Sequence, residues 1–423
     1  MIKQYIKQAL QTLKENRLTS MISILGTALS VAMILVIVLQ FQIRLTGYVP
    51  VSNRSRMLYV QGLTCQSKDK KEVNNTNLSA EVVRECIYSL KTPEAVSVQT
   101  QDQLVISLPG KRNFEEYRIR YTDMGFWKLF DYRFLYGKPF TEADFQSGLP
   151  RAVISDFLAS RLFGTQDVVG REIVMNNVVS YTIAGVVERP SQAASEVYAD
   201  VWIPYTSNSS LVNYGNYGGT SGPFNAILLA ASPGDFDAIR SELLAAQARY
   251  NSGKEDYTIT LFEPFSRLDL TFGSSGWPGG KRMGWIDYLQ STGLILLFLL
   301  LVPTLNLTGV IQSSVQRRCS EMGLRKAFGA TNGKLFVQLI SENLVITLIG
   351  GFIGILLAVF LLYACRSFLL TKETVLTFDM IFKPLLFVSA FFFTLLLNLL
   401  SSGVPAFRVV RGAIVDSLKD GEK

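Results

Sequence analysis

The chain contains no histidine and only four cysteines in 423 residues. The absence of histidine removes the usual general base of hydrolases, the Ser-His triad and the commonest protein ligand of transition metals. No two cysteines have Cys-x-x-Cys spacing, so the sequence does not predict a zinc site. We therefore expect neither a metal centre nor histidine-based catalysis from this chain.

The sequence also lacks the Gly-x4-Gly-Lys-Ser/Thr motif that cradles the phosphates of a nucleotide. The Gly-Gly-Lys-Arg run that ends at Arg282 has the wrong spacing and the wrong final residue. Glu115 and Glu116 are adjacent acids, but neighbouring side chains on a strand point to opposite faces. We therefore expect the chain to be non-catalytic on its own and to bind no cofactor.

Charge is absent from four long apolar segments, 18–43, 288–312, 343–365 and 384–407. About 20 residues of helix are enough to cross the hydrocarbon core of a bilayer. The first segment is too long for a signal peptide, and no small-residue cleavage site follows it. The four segments therefore predict an α-helical membrane protein with four transmembrane helices.

Basic residues predict the orientation of these spans. Residues 1–17 have the spacing of an amphipathic interfacial helix, with lysines off its apolar face. Residues 313–342 contain five basic residues and two acids, and the tail 408–423 begins with Arg408 and Arg411. Under the positive-inside rule these three segments are cytoplasmic. Residues 44–287 and the short loop 366–383 then face outward.

The outward segment 44–287 has 25 basic and 26 acidic residues, which does not favour nucleic-acid binding. Helical spacing at 78–90 and 236–250 alternates with β-rich runs at 152–155, 181–187, 226–229 and 257–262. This pattern predicts a large α+β extracytoplasmic domain between the first and second spans. Cys65 and Cys86 lie in it, either as a disulfide or as two free thiols, because the sequence does not place their Cα atoms within bonding distance.

A motif after the second span carries a family resemblance. Residues 321–330 read Glu-Met-Gly-Leu-Arg-Lys-Ala-Phe-Gly-Ala, and Gln338, Glu342 and three glycines follow at fixed spacing. This pattern resembles the FtsX-like permeases, the membrane subunits of MacB-type ABC transporters. Runs at 136–140, 151–155 and 181–187 resemble the MacB-like periplasmic core domain. The resemblance covers nearly the whole chain.

The resemblance implies roles for two groups of residues. In the family, the loop after the second span forms a short helix that docks on a cytoplasmic ATPase. A basic segment lying on anionic lipid is the alternative, but lipid binding does not require glycines in this pattern. The implied ATPase-coupling residues are Glu321, Met322, Gly323, Leu324, Arg325, Lys326, Ala327, Phe328, Gly329 and Ala330. Helix packing is expected at Gly350, Gly351 and Gly354.

The resemblance also implies a function. The chain is expected to be the permease subunit of an ABC transporter in a bacterial inner membrane, with its large domain in the periplasm. ATP and Mg²⁺ would bind a separate ATPase subunit, and the permease would pair with itself or with a related permease. ATP hydrolysis would move the outer domain and drive export of an unidentified substrate, with a periplasmic adaptor or an outer-membrane channel as a further partner.

Two alternatives remain open at the level of sequence. An FtsX-like complex would use the same motion to control a cell-wall hydrolase without transporting anything. A Lol-like complex would extract lipoproteins from the membrane. The coupling motif serves all three systems equally well, so only a further partner or product separates them.

Overall fold

The computed structural model describes residues 17–69, 72–111, 115–271, 324, 328–364, 384, 387–389, 391–392 and 395–396. The chain divides into two compact units. The helical unit comprises Met1–Gln42, Leu289–Lys372 and Leu376–Lys423, and the β-rich unit comprises Ile43–Tyr288 and Glu373–Val375. The predicted interfacial helix (except Arg17), the second span, the outer loop and the cytoplasmic tail lie outside the described residues.

Nine α-helices occur within the described ranges. They are α1 Arg17–Leu45, α2 Ala80–Val82, α3 Phe126–Leu129, α4 Glu142–Gln146, α5 Asp156–Phe163, α6 Ser209–Val212, α7 Phe236–Ser252, α8 Arg267–Thr271 and α9 Asn332–Ala364.

Fourteen strands accompany them in the same ranges. They are β1 Met57–Val60, β2 Leu63–Ser67, β3 Val73–Leu78, β4 Ala95–Ser107, β5 Glu116–Thr122, β6 Phe134–Gly137, β7 Arg151–Ser155, β8 Glu172–Met175, β9 Val179–Val187, β10 Val201–Pro204, β11 Ser221–Gly222, β12 Asn225–Leu229, β13 Tyr257–Leu261 and β14 Phe265–Ser266.

Two of the described helices are long and apolar enough to cross a membrane. The spanning windows are Ser20–Leu39 in α1 and Leu344–Ala364 in α9. α9 begins at Asn332, so it extends well before the predicted third span and into the segment predicted as cytoplasmic. The other two predicted spans lie wholly or mostly outside the described residues, and their number stays a prediction.

The β-rich unit contains two sheets. The larger has ten strands in the order β14-β1-β12-β4-β5-β10-β7-β9-β6, with β8 pairing β4 and β9. β10 is parallel to β5 and β7 is parallel to β9, whereas the other pairs are antiparallel. The smaller sheet has the order β11-β3-β2-β13. Mixed strand directions with interleaved helices confirm the predicted α+β class.

Local sequence explains several boundaries. The β8–β9 hairpin turns through residues 176–178, where the Val178 N–H donates to the Met175 carbonyl oxygen at 3.0 Å. Asn176 and Asn177 both have positive φ there, a conformation that asparagine adopts more readily than most residues. α5 begins where the Ser155 hydroxyl accepts a hydrogen bond from the Leu158 N–H at 3.2 Å. It ends at Gly164, whose φ of 73° is the left-handed conformation that favours glycine.

Gly185 permits an irregularity in β9. The register with β7 shifts there, because Ala152 lies opposite Ile183 and Val153 lies opposite Gly185. A Cβ at Gly185 would lie 2.7 Å from the Lys138 carbonyl oxygen, so only glycine fits beside the neighbouring backbone.

The predicted secondary structure is mostly present. The four β-rich runs are β7, β9, β12 and β13, and the predicted helix at 236–250 is α7. The helix predicted from Leu78 begins only at Ala80, because Leu78 belongs to β3 and Ser79 caps the helix. It then continues as a π-helical turn, Val83–Ile87. Hydrophobic spacing alone does not separate a strand end from a helix start.

The two cysteines of the β-rich unit are free and buried, so the disulfide alternative is not formed. The Thr220 hydroxyl donates to the Cys65 Sγ at 3.1 Å, which gives that sulfur a polar partner in the core. Burial raises the pKa of Cys65, and it raises the pKa of Cys86 to about 12. Both groups are therefore neutral thiols at pH 7.

Candidate functional site

The predicted coupling motif ends in a sharp turn before α9. The Phe328 N–H donates to the Leu324 carbonyl oxygen at 3.1 Å, which is one turn of helix. Gly329 then has a φ of 89°, and the Lys334 N–H donates to the Thr331 carbonyl oxygen as α9 begins. A left-handed residue after a helical turn is the usual position of glycine.

Two apolar side chains of this motif are exposed to solvent. Leu324 is 55% exposed and Phe328 is 85% exposed, and residues four apart share one face of a helix. Of the remaining coupling residues, Gly329 and Ala330 are described as part of the turn. Glu321, Met322, Gly323, Arg325, Lys326 and Ala327 lie outside the described residues.

The glycines of α9 lie against other helices of the helical unit. A Cβ at Gly350 would lie 2.8 Å from the Thr27 Cβ, and one at Gly354 would lie 2.7 Å from the Ala28 carbonyl oxygen. Both positions therefore need glycine for the close approach of α9 to α1. Gly351 lies on a different face of α9, where a Cβ would lie 3.0 Å from the ring of Phe391.

A polar cleft of about 520 Å³ opens on the β-rich unit. On one side, Arg161 forms two hydrogen bonds to Glu115, at 2.6 and 2.9 Å. Hydrogen bonds from Arg161 and Tyr117 lower the pKa of Glu115 to about 2. On the other side, Arg189 lies 3.4 Å from Asp200. Each of these two acids is matched by an arginine, so the pairs are ionic contacts and not a pair of catalytic carboxylates.

Glu115 and Glu116 both line this cleft, but the sequence does not indicate which arginine pairs with Glu115. Glu115 and Arg161 are 46 positions apart, and no motif links them. Their partners are set by the packing of α5 against the sheet, which sequence spacing does not reveal.

Asp123 is a buried acid of the β-rich unit that is only 3% exposed, and the groups that donate hydrogen bonds to it are uncharged. Its carboxylate accepts from Tyr88 Oη at 2.7 Å, Ser97 Oγ at 3.0 Å and the Val98 N–H at 2.9 Å. The Phe126 N–H donates to it at 3.1 Å. Burial raises its pKa to about 6 in spite of these donors. The network joins β4, β5 and α3, so it serves the fold.

Within the described part of the chain, no group of three or more Cys, Asp or Glu side chains is placed to hold a metal ion. The described part of the chain thus offers an exposed apolar turn, two closely packed helices and a β-rich unit with paired charges.

Comparison with known proteins identifies both parts of the chain. Residues 20–246 match the family model of the MacB-like periplasmic core domain. Residues 293–414 match the FtsX-like permease C-terminal. The first match alone covers more than half of the chain.

Relatives agree with these matches. The ABC transporter permease YknZ of Bacillus subtilis (strain 168) is 25% identical over 362 residues, which are 83% of this chain and 84% of YknZ. The macrolide export ATP-binding/permease protein MacB of Escherichia coli O6:K15:H31 is 21% identical over 432 residues, 98% of this chain and 60% of MacB. The chain thus spans most of YknZ and about three fifths of MacB.

Among solved structures, the periplasmic region of MacB from Actinobacillus actinomycetemcomitans matches 49% of this chain and 89% of that chain. The identity is 14% and the TM-score is 0.35. The two family matches cover the β-rich unit and the C-terminal permease domain in the expected order. This chain belongs to the MacB/FtsX-like family of ABC transporter permeases.

Proposed function

We propose that this chain is the permease subunit of an ATP-driven export system, and that a separate cytoplasmic ATPase binds its coupling segment, residues 321–330. The observation that carries the proposal is the exposed pair Leu324 and Phe328, which share one helix face directly before the left-handed Gly329. Large apolar side chains exposed next to basic residues suit a protein partner that offers an apolar groove with acidic neighbours.

In this proposal the chain crosses a bacterial inner membrane four times, with both termini in the cytoplasm. The spanning windows in α1 and α9 support two of the four crossings. The permease pairs with a second copy or with a related permease, and two ATPase subunits bind the pair. ATP and Mg²⁺ bind the ATPase, and this chain holds no cofactor.

The motion is proposed to travel from the coupling segment through the first two spans to the outer domain, which then drives an unidentified substrate outward. The substrate does not pass through the helical unit in this scheme. Family membership and the separate, compact β-rich unit support it.

The test is a purification of the tagged chain from native membranes in gentle detergent, with mass spectrometry of the proteins that come with it. We expect a stoichiometric ATPase with a Gly-x4-Gly-Lys-Ser/Thr motif. The substitution Phe328→Asp should reduce its recovery roughly tenfold or more, because a carboxylate replaces an apolar anchor of the interface. Arg325→Glu should have the same effect through lost charge pairing.

The matched control is Val178→Asp, which places the same charge at an apolar residue of the β-rich unit that is 81% exposed. ATPase recovery should be unchanged in this variant. Equal recovery of the ATPase with Phe328→Asp and with wild type would refute the coupling assignment. Any third protein then separates the functions: an adaptor or outer-membrane channel supports export, whereas a cell-wall hydrolase or released lipoprotein points to the FtsX-like or Lol-like alternative.

A further inference from the structure

A buried arginine lies at the end of the first span's helix. Arg54 is fully buried, and its Nη1 donates to the carbonyl oxygens of Ile43 at 3.2 Å and Thr46 at 3.3 Å. Ile43 lies in the last turn of α1 and Thr46 directly follows it, and side chains commonly donate hydrogen bonds to the carbonyl groups at this end of a helix. A cation at this end is also favoured by the helix dipole. Arg54 therefore fixes the C-terminus of α1.

The other side of Arg54 contacts a buried acid. Its Nη2 lies 2.7 Å and its Nε lies 2.8 Å from Glu196 Oε1. The second carboxylate oxygen of Glu196 lies 3.7 Å from Arg267 Nη1. Burial opposes the charge of Glu196, but the two guanidinium groups outweigh it and lower its pKa. One ionised carboxylate thus bridges two arginines that are far apart in sequence.

Strand pairing explains how these arginines meet. Arg54 lies three residues before β1, and Arg267 directly follows β14. β1 and β14 are antiparallel, with Tyr59 opposite Phe265, so the start of one lies beside the end of the other. The chain that enters β1 comes from α1, and the chain that leaves β14 forms α8 and continues towards the predicted second span.

The backbone around Glu196 is held from several directions. Arg120 Nη2 donates to the carbonyl oxygens of Ser195 at 3.0 Å and Tyr198 at 3.1 Å. The Val197 carbonyl oxygen accepts from Tyr132 Oη at 2.7 Å and from Trp202 Nε1 at 3.3 Å. These hydrogen bonds hold the backbone on both sides of Glu196 in place. We therefore expect its carboxylate to keep its position between the two arginines.

We propose that Glu196 is a positioning residue that ties the outer end of α1 and the start of α8 to one point of the outer domain. The two segments of chain that lead to the first and second spans then move together with that domain. In the transport cycle, this tie carries the displacement of the spans into the sheet. That last step rests on the proposed function, whereas the tie itself does not.

The first experiment tests the tie without any ATPase. Hydrogen exchange is followed by mass spectrometry on the full chain in lipid nanodiscs. Glu196→Gln keeps the size of the side chain but removes the negative charge that faces the buried Arg54 and the half-buried Arg267. We expect exchange at least about tenfold faster in residues 43–56 and 265–271 together, because an uncompensated buried charge strongly favours local opening. Protection in β4 and β7 should be unchanged.

The matched control is Glu188→Gln, since Glu188 begins the same loop and pairs with Arg133 at 3.7 Å, with both side chains more than half exposed. No segment should change in this variant. A second variant, Arg267→Gln, removes one arm and keeps the Arg54–Glu196 pair; only residues 265–271 should exchange faster. The tie is refuted if Glu196→Gln changes exchange in neither segment. It is also refuted if Glu196→Gln and Arg267→Gln both raise exchange equally throughout the sheet.

The second experiment uses the ATPase that co-purifies with the chain. Wild type should show an ATP-dependent change in exchange at 265–271, and Glu196→Gln should lose this change while its ATP hydrolysis rate stays within about twofold of wild type. A residue that only stabilises the fold would not abolish the ATP-dependent change while ATP hydrolysis continues. If Glu196→Gln keeps the ATP-dependent change in exchange at 265–271, the transmission role is overturned. Absence of an ATPase would count against the proposed function and leave the first experiment to decide the tie.

Discussion

Different interactions stabilise the interior of each of the two units of this protein. In the helical unit, α1 and α9 approach closely at Gly350 and Gly354, where even a methyl group would meet backbone or side-chain atoms of α1. In the β-rich unit, Arg54 and Arg120 are buried and hydrogen-bonded, and the side chain of Glu196, which pairs with Arg54, is only 6% exposed.

The difference follows from the surroundings of each unit. Lipid is as apolar as a leucine side chain, so helices in a membrane gain little from hydrophobic burial and associate through close contact of small residues. A domain in water can bury charged groups when each one is paired or hydrogen-bonded, and the resulting network specifies one arrangement of its loops. The comparison predicts that removing a buried charge destabilises the β-rich unit, whereas adding side-chain volume at a glycine of α9 destabilises the helical unit.

The largest effect is expected for Arg120→Met. Arg120 donates to Gln99 Oε1 at 3.0 Å and Gln101 Oε1 at 3.1 Å as well as to the loop that carries Glu196. None of its four acceptors is a carboxylate, and burial lowers its pKa to about 10. Methionine leaves these acceptors buried without a donor, so the β-rich unit should lose roughly 3–5 kcal/mol of stability.

Native-state hydrogen exchange of β5 and β10 in the full chain measures this loss. Arg133→Met is the control, because the side chain of Arg133 is 73% exposed and its ion pair contributes little. Comparable protection in the two variants would show that buried charge does not hold this unit together.

A smaller effect is expected from pH at Asp123. Its pKa of about 6 in the folded protein lies above the ordinary value of 3.8, so the folded state binds the proton more tightly. This contribution to stability is complete below pH 3.8 and is lost as pH rises through 6. The loss is up to about 3 kcal/mol.

Asp123→Asn cannot titrate and should not show this loss. The stability of wild type minus that of Asp123→Asn, from exchange in β4 and β5, should therefore fall between pH 4 and pH 7. A difference that rises with pH would mean that the donors from Tyr88, Ser97, Val98 and Phe126 hold the carboxylate ionised.

The smallest effect is expected from one added methyl group in the helical unit. Gly354→Ala would place Cβ 2.7 Å from the Ala28 carbonyl oxygen, so α9 must move away from α1. Overpacking of this kind costs roughly 1–3 kcal/mol. Unfolding of the full chain by added SDS in mild detergent, followed by circular dichroism, should show the shift.

Gly333→Ala lies in the same helix and meets no atom within 4 Å. It should leave the helix unchanged or stabilise it by up to about 1 kcal/mol, since alanine is the better helix former. A loss of stability in both variants would remove the distinction between close packing and simple helix propensity.

Much of the fold could be predicted from the sequence. Uncharged runs located the helices α1 and α9, and alternating or β-branched runs located β7, β9, β12 and β13. The family followed from the motif at 321–330 and from runs in the outer domain, and both family matches agree with it. Boundaries were less certain, as α2 and the early start of α9 illustrate.

The sequence by itself determined where charge is excluded, where chain direction must turn, and where Gly329 stands in the motif 321–330, because these depend on neighbours along the chain. The tertiary structure alone decided which helix faces Gly350 and Gly354 and that Cys65 and Cys86 remain thiols. It also brought Arg54 to Glu196, 142 positions away. Such contacts depend on strand order and loop packing, and a lone arginine or glutamate carries no local signal of its distant partner.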